Sequence, residues 1–261
     1  MRQSIEDGVT LEIVYEGRTH NAEVADTAGM DAAFQDVFSD YKVQERLAIL
    51  GYGSRDAYLE SKTTIAAKAK DMVTHYLTHV FPNGYKAQIV ATSREAAVRY
   101  KKYVDAALVE AAAALEKSNP EKLDIEMVKR MKTDVIISGS HNDELHLKAY
   151  TDGTKHETTI KSFKLPFGSE EEGIKGDIGI VIVNNMLLTG FDAPVEQVMY
   201  LDKIIVAHGL LQAIARVNRV SGPAKDKGFV VDYVGVGHHL KKALDSYDER
   251  CLLYTSPSPR D

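Results

Sequence analysis

The segment from Asp177 to Asn184 constrains the fold more than any other stretch of the chain. Its sequence, DIGIVIVN, is an almost unbroken apolar run. A strand that is apolar on both sides must be covered on both faces, which is typical of strands in parallel sheets. The segment therefore predicts a buried strand between two layers of the fold.

Similar short apolar runs recur between segments with helical patterns. They are Ala87–Thr92, Val135–Ser138, Gln197–Asp202 and Gly228–Tyr233, and Val9–Arg18 adds an alternating, half-buried pattern. Strands that alternate with helices, mostly without tight hairpins, predict an α/β fold with a mostly parallel sheet and flanking helices on both faces. Such sheets bind ligands at the carboxyl ends of their strands.

The helices are predicted from apolar spacing and from capping residues. The predicted helices are Met30–Leu50, Arg55–Val80, a helix from Ser93 towards Leu115, and a short helix over Lys155–Phe163, with a polar loop at Gly139–Asp152. Ser93 is a suitable N-cap because its hydroxyl can accept a hydrogen bond from the first turn, and Glu95 suits the helix dipole.

Composition limits the functional classes. The 261 residues include 32 Lys and Arg against 38 Asp and Glu, which gives a net charge of −6, so any contact with nucleic acid must be local. The single cysteine, Cys251, excludes an internal disulfide framework and fits a reducing compartment. No apolar run reaches the length of a membrane span.

The stretch Leu211–Arg219 carries the strongest functional signal. Together with the leucine before it, its sequence is LLQAIARVNR. In a helix, Gln212, Arg216 and Arg219 fall within roughly 60° of one another, since each residue turns about 100°. Two guanidiniums on one exposed stripe suit a polyanion, above all phosphate oxygens. An isolated arginine pair would more often be a solvated basic face.

A second motif, TGFDAP, follows the buried strand. Gly190 permits a turn, and Pro194 holds Ala193 extended. We expect this turn to place the Thr189 hydroxyl and the Asp192 carboxylate at the end of the strand, near the ligand-binding edge. An ordinary strand-to-loop turn is the alternative for this motif alone.

These motifs, in this order, resemble the second motor domain of superfamily 2 helicases and translocases. The segments LLTGFDAP, MYLDK, LLQAIARVNR and GFVVDYVGVG are similar, more closely, to the restriction (R) subunit of type I restriction–modification enzymes. The resemblance extends over nearly the whole chain, to about Arg250. It implies a RecA-like three-layer domain with an N-terminal helical insertion.

The resemblance also implies roles for individual residues. The segment IVATSREAAVRY resembles helicase motif IV, which would put Thr92, Ser93 and Arg94 near the DNA backbone. TGFDAP resembles motif V, in which Thr189 and Gly190 would face DNA and Asp192 would lie near the nucleotide. The ATP-binding residues would be Gln212, Asp192 and Gly190. QAIARVNR resembles motif VI, in which Arg216 would line the nucleotide cleft and Arg219 would be the arginine finger, the two catalytic residues.

No P-loop motif and no Asp-Glu-x-His motif occur in the sequence. We therefore expect that the first motor domain of the same polypeptide and the nuclease domain are missing from this chain. ATP and Mg²⁺ would be bound mainly by that first motor domain. The fragment alone is accordingly expected to be inactive. The resemblance also implies double-stranded DNA and the methylation and specificity subunits as partners. It implies a location in the cytoplasm of a bacterium or archaeon, without membrane contact. The full subunit would couple ATP hydrolysis to translocation along double-stranded DNA and to its cleavage.

No metal site is expected within the chain itself. Glu171, Glu172 and Lys175 are only a weak match to a nuclease-like D…E-x-K triplet, and two groups have some of the residue types of a metal site: His238 and His239; and Asp143, Glu144 and His146. Each lacks ligands at suitable spacing, so solvated or structural roles are preferred.

The predicted domain organisation follows from these segments. Residues 1–30 form a linker or edge strand, 31–84 a helical segment, 85–240 the second motor domain, 241–250 the start of a following helix, and 251–261 a disordered, artefactual tail. Two other functions stay open: a superfamily 2 translocase without a nuclease, and a non-catalytic interaction domain with vestigial motor motifs.

Overall fold

The computed structural model describes residues 11–18, 59–118, 123–205, 215–219, 221, 225–235 and 252–255. The strands in these ranges are β1 (Glu12–Gly17), β2 (Lys86–Ala91), β3 (Lys132–Ile136), β4 (Glu170–Glu171), β5 (Ile174–Lys175), β6 (Ile178–Val183), β7 (Glu196–Asp202), β8 (Lys227–Asp232) and β9 (Leu252–Thr255). The helices are α1 (Lys62–His79), α2 (Arg94–Ser118), α3 (Ile125–Arg130), α4 (Leu145–Lys148) and α5 (Gly153–Lys164), with a 3₁₀ turn at Phe81–Asn83.

Seven strands form one sheet in the order β3-β6-β2-β7-β8-β1-β9. Every neighbouring pair in this sheet is parallel. The strands β4 and β5 form a separate antiparallel hairpin. Every residue of β2, β6 and β7 is buried, as the apolar runs predicted. The predicted α/β class with a mostly parallel sheet is confirmed.

Alternate residues of the central strands face two different helix layers. Ile180 and Ile182 of β6 pack in one core with residues of α1 and α2. Val181, on the other face of β6, packs with Phe163 of α5. The sheet is therefore covered on both faces, which completes the three layers.

Helix α1 corrects the expected helical insertion. Its buried residues Ile65, Met72 and Tyr76 lie in the same core cluster as Ile89 of β2 and Tyr200 of β7. The described part of the 31–84 segment is thus a layer of the α/β core rather than an addition to it. The predicted helix Met30–Leu50 lies outside the described residues.

Side-chain caps fix where the helices begin. Ser61 accepts a hydrogen bond from the Thr64 amide at 3.2 Å, so α1 starts later than the predicted Arg55. Ser93 accepts from the Ala96 amide at 3.1 Å, which confirms it as the cap of α2. None of the described helices combines the length and the apolar character needed to cross a membrane.

Two predicted irregular segments contain regular structure. The loop at Gly139–Asp152 includes the short helix α4. Residues 252–255, expected to be disordered, form β9, which pairs in parallel with β1. The run Leu-Leu-Tyr-Thr favours a strand, and the Ser-Pro alternation begins only after it. Strand β1 consequently lies inside the sheet and is not an edge strand.

One buried carboxylate joins the helices to the sheet. Asp202, at the carboxyl end of β7, accepts hydrogen bonds from the Lys68 ammonium of α1 at 2.5 Å and from the Tyr100 hydroxyl of α2 at 2.7 Å. Burial raises the pKa of Asp202, and Lys68 opposes that shift. The Asp202 carboxylate therefore holds α1 and α2 at a fixed position on the sheet.

A glycine in β8 permits a close approach by the segment that carries the predicted motif VI. A Cβ atom on Gly228 would lie 2.5 Å from the Val217 carbonyl oxygen, whereas a Cβ on Gly17 of β1 would meet no atom within 4 Å.

We predict that Gly228→Ala lowers the free energy of unfolding by about 1–3 kcal/mol, because the backbone at Val217 must move to make room for the added methyl group. Urea unfolding of the chain measures this change. Gly17→Ala is the matched control and should leave stability unchanged or raise it by up to about 1 kcal/mol.

Candidate functional site

The segment that contains TGFDAP runs along one face of the sheet. Because β6 and β7 are parallel, the chain must return from the carboxyl edge to the amino edge between them. Leu187 packs with Val183 at the end of β6. The Val195 carbonyl then accepts a hydrogen bond from the Lys86 amide at the start of β2, at 2.8 Å.

This path corrects the predicted position of the motif. Asp192 lies in the second half of the return segment, close to the amino ends of the strands, and not at the carboxyl edge. Its neighbours Phe191 and Ala193 are buried in one cluster with Ile178, the first residue of β6. Thr189 and Gly190 are exposed. The physical reason is the parallel connection, which the local sequence pattern does not show.

The turn itself has the predicted glycine conformation. Gly190 has a φ of +70°, and Leu187 also has a positive φ, of 62°. A Cβ atom on Gly190 would meet no atom within 4 Å. Glycine therefore suits this position through its backbone freedom and not through lack of space.

Arg216 is buried against the TGFDAP segment. Only 9% of the residue is exposed. Its Nε donates to the Leu188 carbonyl at 3.0 Å, and its Nη1 donates to the Phe191 carbonyl. Burial lowers the pKa of Arg216. The expectation of two guanidiniums on one exposed stripe is wrong for Arg216, because this guanidinium is hydrogen-bonded within its own domain.

Arg219 is exposed, but it lies beyond the helix. Residues 215–217 are helical, and the chain then turns. The Asn218 carbonyl accepts from the Leu11 amide at 3.0 Å, just before β1. Arg219 Nη1 lies 2.9 Å from Asp192 Oδ2, and the two side chains are 56% and 51% exposed. Gln212 lies outside the described residues.

The structure thus brings together Asp192 and two of the three predicted motif VI residues, with different roles. Arg216 holds the backbone of the segment from Leu188 to Phe191. Arg219 presents a guanidinium to solvent beside a carboxylate. An exposed ion pair of this kind contributes little to stability, so its partners can exchange for another charged group at low cost.

Buried cations continue this arrangement at the amino edge. Lys225 Nζ donates to the carbonyls of Pro194 and Glu196, at 2.9 and 2.6 Å. Burial lowers the pKa of Lys225 to about 8. Lys86 Nζ donates to the carbonyls of Ser162 and Gly176, at 3.0 and 3.1 Å. Burial lowers the pKa of Lys86 to about 7.

The Glu196 carboxyl group lies near Lys225 and Arg216 but makes no hydrogen bond. Both of its side-chain oxygens are buried and unbonded. Burial raises its pKa to about 8, although Lys225 and Arg216 oppose the shift. The sequence pattern does not single out Lys86, Glu196 and Lys225, because charged residues at strand starts are ordinarily exposed to solvent.

We predict that Glu196→Gln changes how stability depends on pH. In the folded chain the carboxyl keeps its proton up to about pH 8, whereas an unfolded glutamate loses it near pH 4.5. The folded state therefore binds more protons in this window, and the Glu196 contribution makes the free energy of unfolding fall as pH rises from 4.5 to 8. The variant should lack this decline, as measured by urea unfolding at several pH values. An identical decline in both proteins would contradict the buried, raised-pKa carboxyl.

The predicted DNA contacts of motif IV lie at the opposite, carboxyl edge. Thr92 and Ser93 follow β2 and are partly exposed. The Asn184 amide, at the end of β6, donates to the carbonyls of Ala91 and Thr92, each at 2.9 Å. Asn184 was missed by the sequence analysis, although its position directly after a buried strand is a signal for it.

Arg94 differs from the expectation that it contacts DNA. Its guanidinium makes a two-pronged contact with Asp143, at 2.8 and 2.5 Å, and donates to the Ser138 carbonyl at 2.8 Å. Hydrogen bonding to Arg94 lowers the pKa of Asp143. In this structure an internal carboxylate therefore occupies the position that a phosphate was expected to take.

The residues considered for a metal site make other contacts. His146 Nε2 lies 2.6 Å from a Glu95 carboxylate oxygen, and Asp143 pairs with Arg94. Within the described ranges, no three His, Cys, Asp or Glu residues are grouped so that they could hold a metal ion. His238 and His239 lie outside the described residues.

The model of the family described as type I restriction enzyme subunit R domain 3 matches residues 33–235. The chain belongs to the R subunit family of type I restriction enzymes. The match includes most of the segment before residue 85, in agreement with the packing of α1 in the core.

Individual relatives show the same family. The chain is 29% identical over 251 residues to the type I restriction enzyme HindI endonuclease subunit of Haemophilus influenzae, which covers 95% of this chain and 21% of that protein. It is 31% identical over 259 residues to a Methanocaldococcus jannaschii protein assigned as the MjaVIIP endonuclease subunit, covering 94% and 23%. The chain therefore spans about a fifth of the length of these relatives.

A solved structure shows the same fold. A fragment assigned as an HsdR subunit of a type I restriction enzyme from Vibrio vulnificus YJ016 aligns with a TM-score of 0.56 and 15% identity, over 95% of this chain and 37% of that one. At this identity the likeness supports the fold alone. The expected fold, a mostly parallel sheet with helices on both faces, is therefore shared with this R subunit fragment.

Proposed function

We propose that this R subunit domain is the second motor lobe of the enzyme and supplies the arginine finger for ATP hydrolysis. The observation that carries the proposal is the exposed pair of Arg219 and Asp192, in which Asp192 directly follows the backbone segment Leu188–Phe191 that Arg216 holds in place. An arginine finger requires a backbone that is held in place and a guanidinium group that is free to bind the nucleotide. This arrangement has both properties.

The electrostatics favour a phosphate as the second partner of Arg219. The pair with Asp192 is more than half exposed on both sides, so water screens the attraction. A planar guanidinium binds phosphate oxygens through two parallel hydrogen bonds. Positioned against a γ-phosphate, it stabilises the charge that develops as the bond breaks.

The nucleotide itself requires a second lobe. No P-loop sequence is present to hold phosphates and magnesium, so ATP and Mg²⁺ are assigned mainly to the first motor domain of the whole subunit. Gly190 and Asp192, together with Gln212, complete the cleft from this side. The chain alone is accordingly proposed to hydrolyse no ATP.

The carboxyl edge is proposed as the DNA side of this lobe. Thr92 and Ser93 offer hydroxyl groups there, and Thr189 lies exposed on the return segment. Arg94 joins them only when its contact with Asp143 opens. The whole subunit, assembled with methylation and specificity subunits, would couple ATP hydrolysis to translocation along double-stranded DNA and to cleavage.

Replacement of Arg219 tests this proposal in the full-length R subunit. We predict that Arg219→Ala lowers DNA-stimulated ATP hydrolysis by about 10³-fold or more, because transition-state charge loses its partner. Steady-state phosphate release measures the rate. Assembly with the other subunits should be unchanged, since the side chain is exposed.

Arg130→Ala is a matched control, because Arg130 is also exposed and lies at the end of α3. That variant should retain full activity. An Arg219→Ala subunit that hydrolyses ATP and translocates at the normal rate would overturn the finger assignment and favour a vestigial, non-catalytic lobe.

A further inference from the structure

Three strand ends meet at the carboxyl edge beside motif IV. In the sheet, β2 lies between β6 and β7. Lys203 follows β7, and its Nζ donates to the Asn184 carbonyl at 3.3 Å and to the Asn185 side-chain oxygen at 2.5 Å, both beyond the end of β6. The Lys203 side chain therefore spans the end of β2, where the chain continues into Thr92 and Ser93.

The charge of Lys203 is not neutralised within the described part of the chain. No described carboxylate lies within 4.0 Å of its ammonium group, in contrast to Arg94 with Asp143 and Lys68 with Asp202. Burial lowers the pKa of Lys203, and no neighbouring carboxylate raises it. A partly buried cation without an anion is unfavourable, so an anionic ligand would gain binding energy there.

The ammonium group also retains donor capacity. It has three protons, and two acceptors are bound, both of them neutral amide oxygens. Asn185 is exposed, and Thr92 and Ser93 are partly exposed. A ligand at this edge would meet one remaining ammonium proton together with hydroxyl groups, which suits an oxyanion.

We propose that Lys203 binds a phosphate of the DNA backbone, with Asn184 and Asn185 as positioning residues. The proposal rests on the proposed function of the carboxyl edge as the DNA side. A phosphate could also belong to the nucleotide, but the Asp192–Arg219 pair lies towards the amino ends of the strands. The position of Lys203 beside motif IV favours DNA.

The test is the salt dependence of DNA binding by the full-length R subunit. Each neutralised phosphate contributes about 0.9 to the slope of log binding constant against log salt concentration on duplex DNA. Lys203→Gln should weaken binding to linear duplexes of unrelated sequence to the same extent and reduce the slope by about 0.9. Lys203→Arg should restore the slope, because it keeps the charge.

Lys175→Gln is the control, since Lys175 is exposed in β5, before the amino end of β6. It should leave the slope unchanged. The KM for ATP at saturating DNA separates the two sources of phosphate: it should be unchanged in Lys203→Gln. A raised KM with an unchanged salt slope would assign the site to the nucleotide and overturn the proposal.

Two further outcomes are decisive. An unchanged slope and an unchanged KM would leave Lys203 as a tie between strand ends and would overturn this inference alone, while the arginine-finger prediction still stands. Absence of salt-dependent DNA binding by the unsubstituted subunit would overturn both this inference and the DNA side of the proposed function.

Discussion

The interaction on which the structure depends is the buried contact of Asp202 with Lys68 and Tyr100. It joins the end of the central strand β7 to α1 and α2, two helices of one layer. Removing one partner of a buried ion pair leaves a charge without compensation, which is far more costly than losing an exposed pair. Lys203 follows Asp202 directly, so this anchor also fixes the base of the proposed phosphate contact.

The parallel sheet imposes the second constraint. Since β6 and β7 run in the same direction, the segment between them must cross the whole face, without a helix of its own. Its backbone carbonyls are satisfied by cations: Arg216 binds those of Leu188 and Phe191, and Lys225 binds those of Pro194 and Glu196. Long cationic side chains thus take the place of the hydrogen bonds that a helix would supply.

Seven cations in the described part of the chain fall into three groups by their partners. Lys86, Lys225 and Arg216 are buried and bind carbonyls, which fixes the backbone. Lys68 and Arg94 each bind a carboxylate. Of these seven, Arg219, in an exposed pair, and Lys203, without a carboxylate, keep the most capacity for an external anion. These last two lie towards opposite ends of the strands, as the proposed separate contacts with nucleotide and DNA require.

Local sequence determined the elements of the fold and the identity of the motifs. The apolar run of β6 and the similar runs of the other strands predicted the parallel sheet, and Ser93 predicted the start of α2. Both predictions were possible because burial periodicity and capping are properties of neighbouring residues. The family motifs also predicted that Asp192 and Arg219 act at the nucleotide, and the structure places these two side chains 2.9 Å apart.

Tertiary structure decided how each side chain is used. The sequence treats Arg216 and Arg219 alike, but the return path of the TGFDAP segment buries one guanidinium and leaves the other exposed. The same is true of Arg94 and Lys203, since only the folded chain brings Asp143 to the first and Asn185 to the second. Whether a cation finds an internal partner depends on residues far away in the chain, and no local pattern carries that information.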